Sequence, residues 1–279
     1  MAVPKTIPSE TWAKGKKISK TWQFPAFEIR EINKKKNDYC VCIFVINEGE
    51  KVQKQLARMK KYAKDIDIIV ADGGSTDGSL GDDTLTKNDV RALLTKRGPG
   101  KLSAQMRMAF AYALTEDYKG VVVIDGNGKD DITAIPNFLK HLQEGYDHIQ
   151  GSRYIPGGHA INTPWERHYA LKLLHAPLLS WAAGFNHTDT TNGFRGYSAK
   201  LLSDKDLAIF RDIFATYELH YYLSVKSARH GYKLTEIPVT REYPKKGKTP
   251  TKISPIKGNL HVLGILFKAA FNKYDPPRK

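Results

Sequence analysis

Residues 121–131, VVVIDGNGKDD, bring together side chains that could hold a charged ligand. Four β-branched residues run into Asp125 and stop at Gly-Asn-Gly. That is the pattern of a buried parallel strand delivering a carboxylate to the carboxyl edge of a sheet. A second carboxylate two residues on would complete a metal pair, but Asn127 stands there and Lys129 follows. The Asn127 amide oxygen suits Mg2+ or Mn2+, which prefer hard oxygen ligands, yet it adds no charge. An inward Lys129 ammonium would weaken a bound cation. Three readings follow: a divalent-cation site on Asp125, a weakened one with Asn127 or Asp130 as secondary ligand, or a turn that Asp125 merely caps.

The surrounding pattern must position such a site. YCVCIFVI, IDIIVA, VRALLTK and GVVVID read as buried strands. EGEKVQKQLARMKKYA, LSAQMRMAFAYAL and ITAIPNFLKHLQ read as the helices between them. Strands alternating with helices through short Gly-rich loops predict an α/β fold, a doubly wound and mostly parallel sheet flanked by helices. Ligands of such sheets bind outside the carboxyl ends of the strands. Four polar clusters fall on that edge: Asn47-Glu48, Asp72 to Asp77, Gly98 to Lys101, and Asp125 to Asp130. The second half is less regular. WERHYALKLLHAPLLSWAAGF and FATYELHYYLSVKSARHGY have helical patterns, KLTEIPVTREY reads as an edge strand, and NLHVLGILFKAAF as a packing or membrane-surface helix.

The 279 residues carry a formal net charge of +15, which implies an anionic partner: nucleic acid, a phosphorylated substrate or an anionic membrane surface. The excess gathers at both ends, in KGKKISK and NKKK early and PKKGKTPTK late. No apolar run reaches the roughly 20 residues that span a bilayer. The first residues lack the apolar stretch of a secretory signal, so a cytoplasmic location is expected. The two cysteines, Cys40 and Cys42, share one face of a strand and read as small core residues.

Several chemistries lack their motifs. GPGKLS has Thr95 where a P-loop needs its first glycine and Leu102 where it needs Ser or Thr. No G-x-G-x-x-G follows the first strand, and neither H-E-x-x-H nor G-x-S-x-G occurs. What remains, in order, is FVINEGE, IIVADGGSTDGS, GVVVIDGNGKDD, IQGSRYIPGG, TDTTNGFRGYS and GYKLTEIPV. Over residues 39–245 this set resembles family 2 glycosyltransferases of the GT-A fold, most closely their dolichol-phosphate mannose or glucose synthase-like branch.

The resemblance implies roles position by position. Asn47, Glu48 and Asp72 would meet the nucleotide of the donor, and Lys129 stands where the branch often carries a glutamine that helps hold the metal. With a nucleotide-sugar donor, the Lys129 ammonium could instead stabilise the departing diphosphate directly, and Lys101 in its Gly-rich turn is a further donor-binding candidate. Asp125 and Asn127 correspond to the two acidic positions of the metal-binding motif, and Gly73 replaces a second aspartate of the base-binding motif. Arg153 and Arg167 look like arginines that meet an acceptor phosphate, with Arg195 and the basic 245–252 stretch beside them. A phosphate acceptor is already anionic and needs cationic clamps. A hydroxyl acceptor needs a general base, for which Asp189 is the candidate, unless it only holds the TTNGF turn. The expected organisation is a basic extension over 1–38, a GT-A glycosyltransferase domain over 39–245, and a basic, amphipathic segment over 246–279. The expected activity is inverting hexosyl transfer to a polyprenyl phosphate, with peripheral attachment at the cytoplasmic face of a membrane. Transfer to a polysaccharide or other hydroxyl, and a catalytically silent nucleotide-sugar binder, are the alternatives. No specific nucleic-acid binding is expected, because basic and aromatic residues do not interleave on strands.

Overall fold

The computed structural model describes residues 6–16, 18–245 and 257–277. Nine strands form one sheet: β1 (Thr6–Pro8), β2 (Phe27–Glu31), β3 (Tyr39–Val45), β4 (Asp67–Asp72), β5 (Val90–Lys96), β6 (Gly120–Asp125), β7 (His148–Ser152), β9 (Arg195–Ser198) and β10 (Leu234–Pro238). A second, two-stranded sheet pairs β8 (His159–Ile161) with β11 (Thr240–Glu242) in parallel. The large sheet runs β1-β2-β5-β4-β3-β6-β9-β7-β10. Its centre, β5 to β6, is parallel, and β9 enters antiparallel between β6 and β7. The carboxyl ends of β3, β4 and β6 therefore lie side by side, with Val45 opposite Asp72 and Phe44 opposite Asp125.

Alternation along β3 sorts its side chains to two cores. Cys40, Cys42 and Phe44 pack with Met106, Phe110 and Leu219 on one face. Val41, Ile43 and Val45 pack with Val52, Leu56 and Met59 on the other. Both cysteines are buried thiols, as expected of small core residues. The helix Leu102–Thr115 is buried from Ser103 to Ala113, which its near-continuous apolar sequence requires.

The N-terminal extension is part of this architecture. β2 pairs antiparallel with β5 and buries Phe27 and Ile29, and Trp12 stacks on Tyr112. The sheet therefore continues past the boundary drawn at residue 39, because the open edge of β5 takes a further strand. Helical segments Trp165–Ala170, Leu171–His175 (a π-helix) and Ala176–Ala183 follow one another and end at Gly184, whose φ of 69° permits a left-handed cap. The helix Lys257–Ala270 packs against this run and against the helix Glu218–Arg229. Among the described residues, no helix is long and apolar enough to cross a membrane. The basic stretch 246–252 lies outside the described residues.

Candidate active site

A cleft of about 610 Å3 opens at the carboxyl ends of β3 and β6. Of the residues singled out from sequence, Asn47, Glu48, Lys101, Asp125, Asn127, Lys129, Arg167 and Arg195 wall it. Asp72 instead borders an adjoining pocket of about 340 Å3 with Arg30, Ser75 and Arg97.

Hydrogen bonds fix the loops on this edge. Asp72 accepts from the Ser75 backbone N–H at 2.9 Å and from its hydroxyl at 2.6 Å, which shapes the turn after β4. Asn47 donates its backbone N–H to Ser75 Oγ, and its side-chain oxygen accepts from the Thr76 N–H. The two loops thus hold each other in register. Gly73, where the family resemblance expects an aspartate, has a physical reason. A Cβ there would stand 3.1 Å from the Gln105 side-chain nitrogen. Gln105 uses that nitrogen to bridge the carbonyls of Val45 and Ala71, tying β3 to β4.

The Asp125 loop is held from two sides. Gln55 donates to the Asp125 carbonyl at 3.0 Å and accepts from the Gly128 N–H at 2.9 Å. Gly126 lies so close to β3 that a Cβ would meet Val45 Cγ2 at 2.7 Å. From the other side comes Arg241 of β11. Its guanidinium donates to Asp125 Oδ2 at 3.0 Å and forms a short bond to the buried Asp130. Burial pushes the Asp130 carboxyl up while Arg241 pulls it down, and the rise wins. Asp130, expected as a secondary metal ligand, is thus buried and bound to a guanidinium.

Asn127 donates its amide to Asp125 Oδ2 at 3.2 Å, and its oxygen accepts from the Lys129 N–H. Lys129 is half-buried, and burial followed by Arg241 lowers its pKa. Its ammonium lies 5.1 Å from the Tyr243 ring centre, which Arg167 and Arg241 also approach, at 5.7 and 5.9 Å. Burial would raise the Tyr243 pKa, but Arg241, Arg153 and Arg167 together pull it down.

Asp125 Oδ1 points toward Gly193, where a Cβ would stand 3.4 Å away, so the glycine leaves room beside that oxygen. One carboxylate oxygen and one amide oxygen fit a divalent cation in kind and supply little charge. Among the described residues, no three His, Cys, Asp or Glu side chains gather to hold a metal. The donor set suits a weakly held cation.

Three expected roles meet a different geometry. Arg153 and Asp189, read from sequence as acceptor clamp and candidate base, form a buried two-pronged pair with each other, at 2.7 and 2.9 Å. Asp189 also accepts from Thr191, Arg153 donates to the Thr191 hydroxyl, and neither partner walls the cleft. Burial alone would lower the Arg153 pKa, but the hydrogen bonds and charge of Asp189 raise it. The TTNGF-turn reading of Asp189 matches this placement. Arg195 is buried and donates to the carbonyls of Thr190, Asn192 and His220 and to Ser224 Oγ, so its fork braces the loop behind the cleft. Arg167 is exposed at the rim and donates to the Tyr243 hydroxyl.

Sequence reading missed Gln55, Gln105, Arg241 and Tyr243. Gln55 left a local sign, as a polar residue on the buried stripe of Val52, Leu56 and Met59. Arg241 and Tyr243 are carried to the cleft by pairing of their segment with β8 and with the backbone at Lys129–Asp131, which has no local signature.

Residues 40–207, more than half of the chain, match the family model described as Glycosyl transferase family 2. An undecaprenyl-phosphate mannosyltransferase of Micrococcus luteus is 28% identical over 205 residues, covering 70% of this chain and 79% of its own. A polyprenol monophosphomannose synthase of Mycolicibacterium smegmatis is 27% identical over 203 residues, covering 72% of this chain and 76% of its own. Among solved structures, glucosyl-3-phosphoglycerate synthase from Mycobacterium tuberculosis in complex with Mn2+, UDP-glucose and phosphoglyceric acid superposes with a TM-score of 0.60. It is 16% identical and covers 84% of this chain and 79% of its own. The same enzyme with Mg2+ and UDP gives a TM-score of 0.59 at 15% identity, with 84% and 79% coverage. The expected GT-A-like architecture is the fold of this chain.

Proposed function

The chain belongs to glycosyl transferase family 2 and is a nucleotide-sugar-dependent hexosyltransferase, and from that premise we propose that it transfers the hexosyl group, with inversion, to a polyprenyl phosphate at the cytoplasmic face of a membrane. The observation that carries this reading is the charge of the cleft. Six cations line it besides the buried Arg195, namely Lys51, Lys96, Lys101, Lys129, Arg167 and Arg241, against two carboxylates, Glu48 and Asp125. A hydroxyl acceptor needs a base, and the sequence candidate for one, Asp189, is bonded to Arg153. A phosphate acceptor arrives already anionic and is drawn in by exactly such a surplus of cations. The named relatives that act on polyprenyl phosphates support the same acceptor class.

The acceptor's phosphate oxygen attacks the anomeric carbon as that carbon's bond to the diphosphate breaks, and the bonding pair leaves with the nucleoside diphosphate. No proton need move. Lys129 and Arg241, both lining the cleft, would stabilise the charge that develops on the departing diphosphate, and Asp125 holds Arg241 in place. Arg167 at the rim would meet the incoming acceptor phosphate. A divalent cation, when bound, would rest on Asp125 and the Asn127 oxygen and add Lewis-acid stabilisation. Asn47 and Asp72 would shape the pocket for the nucleotide.

The test pairs calorimetry with a transfer assay. Uridine and guanosine diphosphate sugars are titrated with Mn2+ and with EDTA. The donor that binds is then offered a short polyprenyl phosphate or the matching unphosphorylated alcohol. Transfer to the phosphate alone is expected. Equal transfer to the alcohol overturns the acceptor assignment, and binding of no nucleotide sugar overturns the donor assignment.

A further inference from the structure

Seven of the ten most exposed large apolar side chains among the described residues sit on two helical runs that touch each other. On the first, Trp165, Tyr169, Leu173 and Trp181 fall at four- and eight-residue spacing, with Pro177, also exposed, between the last two. Trp165 is 69% exposed, Leu173 76% and Trp181 65%. In an α-helix each four-residue step overshoots a full turn by about 40°, so a stripe of this period would wind around the helix. The π segment Leu171–His175 has wider turns, which rotate the stripe back toward one side. Leu171, His175, Leu179 and Ala182 occupy the buried face.

The second run, Lys257–Ala270, exposes Leu260 and Phe267 and continues to the exposed Phe271. The Phe271 ring lies 5.8 Å from that of Trp181, so the two apolar surfaces meet. Both runs reach the cleft, the first through Arg167 and the second through Val262.

We propose that this two-helix face docks on an anionic bilayer and sets the cleft mouth at the headgroup level. The chemistry of the face selects that occupant. Tryptophan and tyrosine favour the membrane–water boundary, and an apolar face rimmed by lysine and arginine is what an in-plane helix presents to lipid. Across the two runs the charged residues are Arg167, Lys172, Lys257 and Lys268 against Glu166 alone. The formal net charge of +15 adds attraction to anionic headgroups. Long basic side chains can lie along the apolar surface with their charge in the headgroups. The position of the cleft beside this face rests on the lipid-phosphate reading for its purpose, since such an acceptor could then enter with its chain still in the bilayer.

Full-length protein is mixed with vesicles of phosphatidylglycerol and phosphatidylcholine, and with phosphatidylcholine alone, and binding is followed by co-sedimentation. Brominated lipid reports depth by quenching. Of the four tryptophans, Trp12 is buried and Trp22 half-buried, so quenching reads Trp165 and Trp181. Preference for the anionic vesicles and quenching of the wild type are expected. The triple variant Trp165→Ser, Leu173→Ser, Trp181→Ser should bind at least about 100-fold more weakly, as loss of three large apolar anchors implies. The variant Lys172→Glu, Lys268→Glu should lose the preference for phosphatidylglycerol. These substitutions are on the surface, so nucleotide-sugar calorimetry without lipid should be unchanged and certifies the fold. Wild type that ignores both vesicles while still binding donor overturns the docking face and leaves the transferase reading intact. Vesicle binding by a protein that transfers no sugar to a polyprenyl phosphate does the reverse. Lipid-free self-association that the triple variant abolishes, with no vesicle binding, overturns the proposal in favour of a second copy of the chain.

Discussion

The two walls of the cleft are built by different means. At the strand ends, Asn47, Asp72, Gln55 and Gln105 tie loop to loop and loop to strand through specific hydrogen bonds. The opposite wall is carried by helices that leave Trp165, Leu173 and Trp181 in solvent and by β11 and the residue after it, whose Arg241 and Tyr243 line the cleft. The first wall presents fixed polar groups, as the proposed nucleotide-sugar donor requires. The second is open and apolar outside, as the proposed lipid acceptor requires. Between them runs the loop from Gly184 to Phe194, anchored by the Arg153–Asp189 pair and by Glu236, which accepts from Thr188 and Asp189.

The largest expected effect is on that anchor. Asp189→Ala leaves a buried guanidinium unpaired and should lower unfolding free energy by about 3–5 kcal/mol in urea denaturation. A loss under about 1 kcal/mol would mean that the two walls are held together by something else.

Next comes a contrast between the walls themselves. Asp125→Ala should cut transfer by about 100-fold or more, because it releases Arg241 and removes an oxygen facing the cleft. Trp165→Ser, assayed with a water-soluble short-chain acceptor, should leave kcat nearly unchanged. Similar losses from both would erase the distinction between a chemical wall and a docking wall.

The third prediction concerns pH and the buried histidines behind the cleft. Burial depresses His148 and His220, and lowers His187 from its ordinary 6.5 to about 4. The folded state therefore prefers neutral imidazole, while the unfolded chain takes up a proton near pH 6.5. The stability contributed by that neutrality is present above pH 6.5 and is lost as pH falls toward about 4, on the order of 1–3 kcal/mol for His187. Glu236, 3.9 Å from His187, is raised by burial and acts in the opposite sense. Thermal unfolding of the wild type between pH 7 and 4.5, set against His187→Gln, isolates the histidine. The variant should lose less stability over that range, and equal slopes would remove His187 from the account.

The smallest effect sharpens the metal question. Asn127→Asp adds a second carboxylate beside Asp125 and should tighten Mn2+ binding about tenfold by calorimetry, with a further gain when combined with Lys129→Gln. No change would show that Arg241, already bonded to Asp125, and not the missing charge at 127, limits cation binding.

Much of the strand-end wall was legible from sequence because its signals are local. A β-branched run ending in Asp and Gly, at the β4 and β6 ends alike, states both the strand and the edge where its carboxylate emerges. Gly73 and Gly126 were visible as glycines, but the reasons for them, Gln105 and Val45, come from other segments. The roles read for Arg153, Asp189 and Arg195 took each charge singly. In the fold, Arg153 and Asp189 lie next to each other in a buried place, where opposite charges must pair, and Arg195 lies among carbonyls.

The sequence by itself determined the parallel centre of the sheet, the edge where a ligand would bind and the anionic character of its partner, since these follow from periodicity, turn chemistry and summed charge. Only the tertiary structure decided which charges face the cleft and which neutralise each other. It also brought Arg241 to Asp125 across 116 residues of chain and left Trp165 and Trp181 uncovered. Pairing and exposure depend on what lies alongside in space, and residues far apart in sequence carry no local mark of becoming neighbours.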